Sequence, residues 1–465
     1  MLKVRILTLL FGTDGIRGVA NELLTGEFAY RIALTIAELL RQDGKFGTIL
    51  IGKDPRMSSD MLEHALASGF MSRGFNIVSA GIIPTAGLAH LTRTGSYILG
   101  VMISASHNQI QDNGLKFFDD QGMKLDESHE RQIEKALDEE LYSSLRLSPI
   151  ELGSYREDTS LHKLYSDHLV KIPESSFKGL RIIIDSAHGS ACSYAGEAFI
   201  RLDASVENLH ADPDGRKINV DCGSNYPSIV REKMKQGSAD LGAAFDGDAD
   251  RAILIDEKGD IVNGDQILAM WGLYLLDHDK LKNNTVVGTV LSNKGLEDIL
   301  AKHNGRLVRT DVGDRYILRK MVEEGYELGG EQSGHIIFLK HNVTGDGIGT
   351  ALKVADLIRI TGKRLSELGK AFIPYPQVAL NVPTTDKMSW LDDNNMTGLV
   401  AELEREVLKE ANGRMLIRPS GTQPLIRIMV EAEDAGVADN IAKKAFSAFK
   451  EYLEKKGKLI KPSRR

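Results

Sequence analysis

Cysteine is scarce in this sequence, because only two of its 465 residues, Cys192 and Cys222, carry a thiol. They suggest neither a disulfide framework nor a closely spaced metal-binding pair, so we expect a protein of the reducing cytoplasm. Long apolar runs are also lacking, and no stretch reaches the roughly 18 residues of a membrane span. The apolar run that follows Lys3 and Arg5 is too short for a signal peptide.

Positive charge is not in excess either, since the formal net charge is -7 at pH 7. This balance argues against a nucleic-acid-binding surface. The charged fraction of 26% and the apolar fraction of 42% are ordinary for a soluble globular protein. We therefore expect neither nucleic acid nor a membrane as a partner.

The chain is too long for one compact core, which predicts several domains. Short β-branched runs alternate with longer amphipathic runs, and this alternation is typical of α/β units. Three runs, at 48–52, 181–185 and 285–288, repeat a strand, a polar turn and a helix. We predict an α/β fold with three tandem related α/β domains and a smaller C-terminal α+β domain. The predicted domains span residues 1–156, 157–257, 258–373 and 374–465.

Three aspartates alternate in the stretch Asp246-Gly-Asp-Ala-Asp250, and Arg251 follows them. Carboxylates packed this closely repel one another unless a cation lies among them. Oxygen ligands without Cys or His favour Mg²⁺. An EF-hand loop is excluded because its sixth position needs Gly, and residues 252–256 have the pattern of a buried strand. A solvated acidic turn is the simpler alternative.

The stretch Ser104-Ala-Ser-His-Asn-Gln109 follows the predicted strand 98–103. The sequence Asp112-Asn-Gly114 predicts a turn, and residues 115–118 a returning strand. A serine on such a loop is expected to be exposed and free to react. Once phosphorylated, it would offer an oxygen ligand to a cation held by the aspartates. A polar loop with Asx and Ser turns is the alternative.

Three glycine-containing segments have the composition of anion or sugar sites. Residues 11–18 combine three glycines with Arg17, which can reach a phosphate. Residues 418–424 offer hydroxyl and N–H groups between two arginines, the second being Arg427. Residues 329–335 gather a carboxylate, an amide, a hydroxyl and an imidazole. Ordinary glycine turns explain any one of these segments equally well.

Taken together, five motifs in this order resemble the α-D-phosphohexomutase superfamily over nearly the whole chain. The motifs read F-G-T-D-G-I-R-G, S-A-S-H-N, D-G-D-A-D-R, G-E-Q-S-G-H and R-P-S-G-T. The resemblance implies four domains around a central cleft and a phosphoserine donor at Ser106. It also implies one Mg²⁺ per chain, with these ligands: Ser106, Asp246, Asp248 and Asp250.

The same resemblance implies roles for further residues. A phosphate-binding loop would consist of Arg418, Ser420, Gly421, Thr422 and Arg427. A sugar-binding loop would contain Glu331, Gln332 and Ser333. Arg17 and Lys116 are the expected cations near the serine, and Arg251 would orient the metal loop. His335 and Lys116 both remain candidates for the general acid or base.

Within the superfamily, Gly313-Asp-Arg-Tyr316 and Gln332 are similar to members that act on glucosamine phosphates. These members interconvert glucosamine 6-phosphate and glucosamine 1-phosphate through glucosamine 1,6-bisphosphate, and so supply amino-sugar nucleotide and cell-wall precursors. Members acting on mannose and glucose phosphates, the nearest alternative, more often carry Met in place of Gln332. A phosphosugar sensor without activity and a serine phosphatase are further alternatives. A homodimer is left open.

Two positions depart from the superfamily pattern. Gln109 replaces a proline after S-H-N, which is expected to reduce the rigidity of the loop rather than change its chemistry. Gln423 replaces a glutamate after S-G-T, which puts the strength of distal phosphate binding in question.

Overall fold

The protein is described by a computed structural model over residues 10–141, 146–237, 239–420 and 423–460. Two compact units are formed, the first by described residues of Met1–Thr289 and Val308–Ala371, the second by those of Val290–Leu307 and Phe372–Arg465. No helix in these described ranges has both the length and the apolar character needed to cross a membrane.

The first sheet of the first unit has six strands in the order β1-β5-β4-β2-β3-β6. Its strands are β1 (Ile16–Val19), β2 (Thr48–Lys53), β3 (Asn76–Ile82), β4 (Tyr97–Ile103), β5 (Asp112–Phe118) and β6 (Tyr155–Glu157). Its helices are α1 (Gly26–Gln42), α2 (Ser59–Met71), α3 (Thr85–Thr94) and α4 (Glu127–Asp138). Strands β2, β3, β4 and β6 run parallel. The apolar run of β2 is buried throughout, as is typical of a parallel strand covered on both faces.

The predicted turn at Asp112-Asn-Gly114 is wrong, because these residues are the first three of β5. The chain reverses earlier, where the Asp112 N–H donates to the Gln109 carbonyl. Asn113 is buried and donates to the hydroxyls of Ser58 and Ser59. A Cβ at Gly114 would lie 2.4 Å from the Ser104 carbonyl oxygen. Glycine therefore serves close strand packing here rather than a turn.

The second sheet has five strands in the order β11-β10-β9-β7-β8. They are β7 (Arg181–Asp185), β8 (Ser205–Leu209), β9 (Leu241–Phe245), β10 (Ala252–Ile255) and β11 (Ile261–Val262). Helices α5 (Ser160–Leu169), α6 (Ala195–Arg201) and α7 (Ser228–Lys235) lie along this part of the chain. Because β9 and β10 are antiparallel neighbours, the aspartate stretch forms the short connection between two buried strands.

The third sheet has the order β13-β12-β14-β15. Its strands are β12 (Thr285–Thr289), β13 (Arg306–Thr310), β14 (Leu328–Gly330) and β15 (Ile336–Phe338). Helices of this region are α8 (Gly264–Asp277), α10 (Asp314–Glu324), α11 (Gly347–Thr361) and α12 (Leu365–Gly369), while α9 (Lys294–Lys302) belongs to the second unit. A capping box between Asn263 and Gln266 begins α8.

The second unit contains an antiparallel sheet in the order β16-β18-β17. Its strands are β16 (Gln377–Pro383), β17 (Arg414–Pro419) and β18 (Leu425–Glu431), and its further helices are α13 (Asn394–Ala411) and α14 (Ala435–Lys455). Apolar side chains of the sheet and both helices share one core, which includes Ile426 and Phe449. The Lys294 N–H donates to the Glu431 carboxylate, which ties the start of α9 to β18.

Mixed sheets covered by helices confirm the predicted α/β class, with a smaller α+β module at the C-terminal end. The boundaries at 156, 257 and 373 stay a prediction. Strand β6 extends across residue 156, and β11 lies beyond residue 257 although it joins the second sheet.

Asp346 provides a test of the packing around α11. Its buried carboxylate accepts the Gly349 N–H as the N-cap of the helix, and burial raises its pKa to about 6. A carboxyl with a raised folded-state pKa contributes most stability below pH 4 and loses that contribution as the pH rises through 6. Asp346→Asn should therefore gain stability relative to the parent between pH 4 and 7, by about 3 kcal/mol. Denaturant unfolding across this range measures the difference.

The control is Asp434→Asn, at the exposed N-cap of α14. An equal pH-dependent gain in this variant would show that capping, rather than burial, produces the effect. No pH-dependent gain in Asp346→Asn would contradict the prediction.

Candidate active site

Ser106 lies in the connection between β4 and β5, with a left-handed backbone at φ 55°. The expectation of an exposed serine is wrong, because Ser106 is fully buried. Its Oγ donates to Oδ2 of Asp246 at 2.6 Å, so the hydroxyl faces the aspartate stretch. The Ser104 hydroxyl instead donates to Asp54 at 2.7 Å. Burial follows from the short connection, which packs directly against the turn after β9.

Arg56 holds the serine loop and was missed by the sequence analysis. Its side chain is buried, its Nε donates to Asp54, and its terminal nitrogens donate to backbone carbonyls of the loop. The accepting carbonyls belong to Ser106, Asn108, Gln109 and Asp112. The available signal was D-P-R at the carboxyl end of β2, since the carboxyl ends of neighbouring parallel strands share one edge.

The three aspartates lie close together. One carboxylate oxygen from each of Asp246, Asp248 and Asp250 lies within 4.8 Å of the others, and all three residues are buried. Oδ1 of Asp248 and Oδ1 of Asp250 are buried without a hydrogen-bond partner among the described residues. Burial, with the charges of Asp250 and Asp248, raises the pKa of Asp246 well above its usual value. Orphaned carboxylate oxygens under mutual repulsion fit a hard cation such as Mg²⁺.

Lys116 of β5 lies beside this cluster. Its Nζ is 2.8 Å from Asp248, 3.1 Å from Asp14 and 3.3 Å from Asp250. Burial favours the neutral amine, but the three carboxylates raise the pKa of Lys116 well above its ordinary value. A lysine held in the charged form is suited to stabilising anionic oxygens rather than to accepting a proton.

A chain of partly buried charges extends from this cluster and includes three residues without a predicted role. Asp14 contacts Arg17 and Lys124, and Lys124 also contacts Asp314. Burial would raise the pKa of Asp14, but its cationic neighbours, above all Lys116, hold it well below its usual value. Arg17 donates to Asn108 at 3.2 Å, so it reaches the serine loop.

His335 is buried and fixed by its neighbours. Its Nε2 accepts the Gly345 N–H at 3.0 Å, and its Nδ1 faces Asp250 at 3.9 Å. A Cβ at Gly345 would lie 2.4 Å from the imidazole ring. The accepted N–H places the ring proton of neutral His335 on Nδ1, the nitrogen that faces the cluster.

Arg251 connects the aspartate stretch with His107 of the serine loop. The Arg251 N–H donates to Asp246, and its Nη1 is 3.3 Å from Nδ1 of His107. Burial and the charges of Arg251 and Arg17 lower the pKa of His107 to about 4. His107 is therefore neutral at physiological pH.

The predicted sugar loop follows β14. Oε1 of Glu331 accepts the Gly313 N–H at 3.2 Å, and the Ser333 hydroxyl is 3.4 Å from Oε2. The Gln332 backbone carbonyl accepts the Gly264 N–H, and the residue is half-buried. Glu331 lies close enough to Arg251 to help raise the pKa of that arginine.

The predicted phosphate loop belongs to the second unit. Arg418 on β17 is paired directly with Arg427 on β18, and burial together with Arg427 lowers the pKa of Arg418. Like charges opposite each other on neighbouring strands are unfavourable, so this pair suits a bound anion. Ser420 accepts the Gln423 N–H, and Gln423 accepts from Arg427. Gly421 and Thr422 lie outside the described residues.

Four domain-family profiles match the chain in order. Domain I of phosphoglucomutase/phosphomannomutase, an alpha/beta/alpha domain, matches residues 8–143, domain II matches 163–259, and domain III matches 263–375. The C-terminal domain of the same family matches residues 380–448. The chain belongs to the phosphoglucomutase/phosphomannomutase family.

Among curated relatives, a phosphoglucosamine mutase of Caldanaerobacter subterraneus is 46% identical over 436 residues, covering 93% of this chain and 97% of the relative. A phosphoglucosamine mutase of Bacillus pumilus is 41% identical over 443 residues, covering 95% and 98%.

Solved structures share the fold at lower identity. A phosphoglucomutase/phosphomannomutase family protein of Burkholderia thailandensis has a TM-score of 0.80 at 20% identity, with coverage of 96% and 97%. An Aspergillus fumigatus N-acetylphosphoglucosamine mutase, solved with GlcNAc-6P and magnesium, has a TM-score of 0.64 at 17% identity, with coverage of 95% of each chain.

The aspartate cluster predicts the behaviour of Asp248→Asn. Losing one of three carboxylates should weaken the binding of Mg²⁺ and lower the turnover rate at least about a hundredfold. The metal-free variant should melt no lower than the metal-free parent, because repulsion falls while Lys116 keeps Asp14 and Asp250 as partners. Mg²⁺ titration, isomerase assay and thermal melting measure these effects.

The matched control is Asp256→Asn, since Asp256 follows β10 and accepts backbone N–H groups outside the cluster. This control should keep the Mg²⁺ dependence of the parent. Full activity of Asp248→Asn at millimolar Mg²⁺ would contradict a metal site at the three aspartates.

Proposed function

We propose that this chain is a phosphoglucosamine mutase, an isomerase that interconverts glucosamine 6-phosphate and glucosamine 1-phosphate. The observation that carries the proposal is the Ser106 hydroxyl, 2.6 Å from Asp246 within a cluster of three aspartates and Lys116. Relatives up to 46% identical over nearly the full length support the amino-sugar substrate. The product would supply amino-sugar nucleotide and cell-wall precursors in the cytoplasm.

Ser106 would act as the phosphoryl carrier. The phosphoryl group of phosphorylated Ser106 passes to the 1-hydroxyl oxygen of glucosamine 6-phosphate. The bond from phosphorus to Oγ breaks, a bond to the sugar oxygen forms, and the hydroxyl proton leaves to a base. The resulting glucosamine 1,6-bisphosphate turns over and returns its 6-phosphoryl group to Ser106, releasing glucosamine 1-phosphate.

Cationic side chains would stabilise the transferring oxygens. Lys116 of β5 lies beside the aspartate cluster that Ser106 faces, and Arg17 of β1 reaches the serine loop at Asn108. Their charges would offset those of the equatorial phosphoryl oxygens. Asp246, Asp248, Asp250 and the phosphorylated Ser106 would hold Mg²⁺, which supplies further charge neutralisation when bound. His335 is the preferred proton carrier, because Lys116 is held in its charged form.

Two loops would bind the rest of the substrate. Arg418, Arg427, Ser420, Gly421 and Thr422 would bind the distal phosphate, and the arginine pair of β17 and β18 supports this role. Glu331, Gln332 and Ser333 would hydrogen-bond the sugar, with Arg251 beside them. The predicted four domains, with boundaries at 156, 257 and 373, would divide these tasks.

Phosphorylation of the serine loop can be tested directly. Incubation with a sugar 1,6-bisphosphate should place one phosphoryl group on Ser106, because its hydroxyl faces the cation site while that of Ser104 is engaged by Asp54. Peptide mass spectrometry locates the group, and Ser106→Ala should abolish it. Phosphate on Ser104 with none on Ser106 would overturn the assignment.

Substrate choice provides the test of the proposed activity. A carboxylate at Glu331 and an amide oxygen at Gln332 can accept from a protonated amine, and a site built to bond a group discriminates strongly. We expect kcat/KM for glucosamine 6-phosphate to exceed that for glucose or mannose phosphates at least about tenfold, or roughly 1.4 kcal/mol. Gln332→Met should reduce the ratio of these two kcat/KM values, as measured by parallel isomerase assays.

Gln121→Met, on the exposed turn before Met123, is the control and should keep the ratio unchanged. Equal efficiency with glucose or mannose phosphates would make the chain a phosphomannomutase/phosphoglucomutase instead. Release of inorganic phosphate at the rate of turnover would indicate a phosphatase.

A further inference from the structure

A second group of metal-ligating side chains lies behind the serine loop, at the carboxyl ends of β7 and β8. Asp185 ends β7, His210 follows β8, and Cys222 lies in the loop before α7. One donor atom from each of these residues lies within 4.8 Å of the other two. Sequence spacing gave no indication of this group, because its members come from three separate turns.

The donors are an oxygen, a nitrogen and a sulfur, unlike the three carboxylates at Asp246, Asp248 and Asp250. A thiolate and an imidazole prefer a borderline or soft cation, whereas Mg²⁺ prefers oxygen alone. We propose that Asp185, His210 and Cys222 form a Zn²⁺ site distinct from the Mg²⁺ site. Three protein ligands leave a fourth, tetrahedral position for water.

The carboxylate of Asp185 is already oriented for such a role. Its Oδ1 accepts the Ala187 N–H and its Oδ2 accepts the Gly223 N–H, both at 2.9 Å. Nδ1 of His210 is sealed from solvent and lies 3.0 Å from Oδ1 of Asp185, without the alignment of a hydrogen bond. An imidazole nitrogen beside an oriented carboxylate is the arrangement expected of two ligands to one ion.

Burial and access are also compatible with a metal ion. Asp185 and Cys222 are fully buried, while the His210 side chain is 28% exposed, so the three donors lie close to the protein surface. Burial raises the pKa of the Cys222 thiol to about 12, so this thiol is protonated in the metal-free protein. Binding then exchanges the thiol proton for the ion, with one proton released to solvent for the sulfur–metal bond formed.

The proposed site is tied to the serine loop by its own ligand-bearing segment. Asn219 lies three residues before Cys222 and donates to the carbonyls of Ser106 and Asn108 at 2.8 and 3.1 Å. Asn225 donates to the His107 carbonyl at 2.7 Å. An ion at Cys222 would therefore fix the segment that supports the loop, although the site itself does not depend on the proposed mutase activity.

Cd²⁺ is the probe for this site, because a cadmium–thiolate bond absorbs in the ultraviolet and a cadmium–carboxylate bond does not. With reduced protein and saturating Mg²⁺, one equivalent of Cd²⁺ should produce the cadmium–thiolate absorption band. Added Zn²⁺ should displace the Cd²⁺ and remove this band. Cys222→Ser should lose the band. Cys192→Ser is the matched control, since Cys192 contacts the His210 carbonyl but is not among the three ligands, and it should keep the band.

His210→Asn provides a second variant, because Asn tolerates the left-handed backbone of His210 at φ 48°. It should weaken Cd²⁺ binding at least about tenfold. Thermal melting identifies any variant that fails to fold. If Cys222→Ser or His210→Asn fails to fold, Cd²⁺ binding by the other variant tests the proposal. The proposal is overturned if the parent shows no band, if Zn²⁺ fails to displace it, or if Cys192→Ser rather than Cys222→Ser removes it.

Discussion

The ammonium group of Lys116 is the interaction on which the candidate active site depends. Asp14, Asp248 and Asp250 all lie within 3.3 Å of it inside the protein. Carboxylates in a low dielectric repel strongly, and removing Lys116, the cation that all three share, would leave that repulsion uncompensated. Lys116 is therefore what allows the acidic stretch after β9 to approach β5. The same contact brings together segments that are far apart in the sequence.

The serine loop illustrates how a left-handed, buried residue can be held without regular structure. Arg56 and Asn219 donate to carbonyls on either side of Ser106, so the backbone polar groups of the loop are satisfied although it belongs to no strand. A loop fixed by side chains keeps its hydroxyl aimed at Asp246, which limits the reorganisation required for transfer. The replacement of proline by Gln109 is compatible with this arrangement, because Arg56 binds the Gln109 carbonyl.

Local patterns predicted much of this architecture. The β-branched runs of β2, β7 and β12, the aspartate stretch and the grouping of Arg418 with Arg427 could all be identified from neighbouring residues. The burial of Ser106 and the roles of Asp14, Arg56, Lys124 and Asp314 could not, because each depends on a partner distant in sequence. The Asp112-Asn-Gly114 stretch misled for another reason, since its glycine allows close packing against the Ser104 carbonyl, just beyond the end of β4, and does not form a turn.

The second unit is discontinuous in sequence, and this has a consequence for its synthesis. The Lys294 N–H and its acceptor, the Glu431 carboxylate, lie 137 positions apart, and Arg414 donates to the carbonyls of Val290 and Ser292 across a similar interval. At roughly 5–20 residues per second, the ribosome completes β17 and β18 on the order of ten seconds after α9. During that interval, the start of α9 has left the ribosome before its hydrogen-bond partners on β17 and β18 exist. The second unit therefore completes its native contacts only after its last strands have been synthesised, and it can misassemble until then.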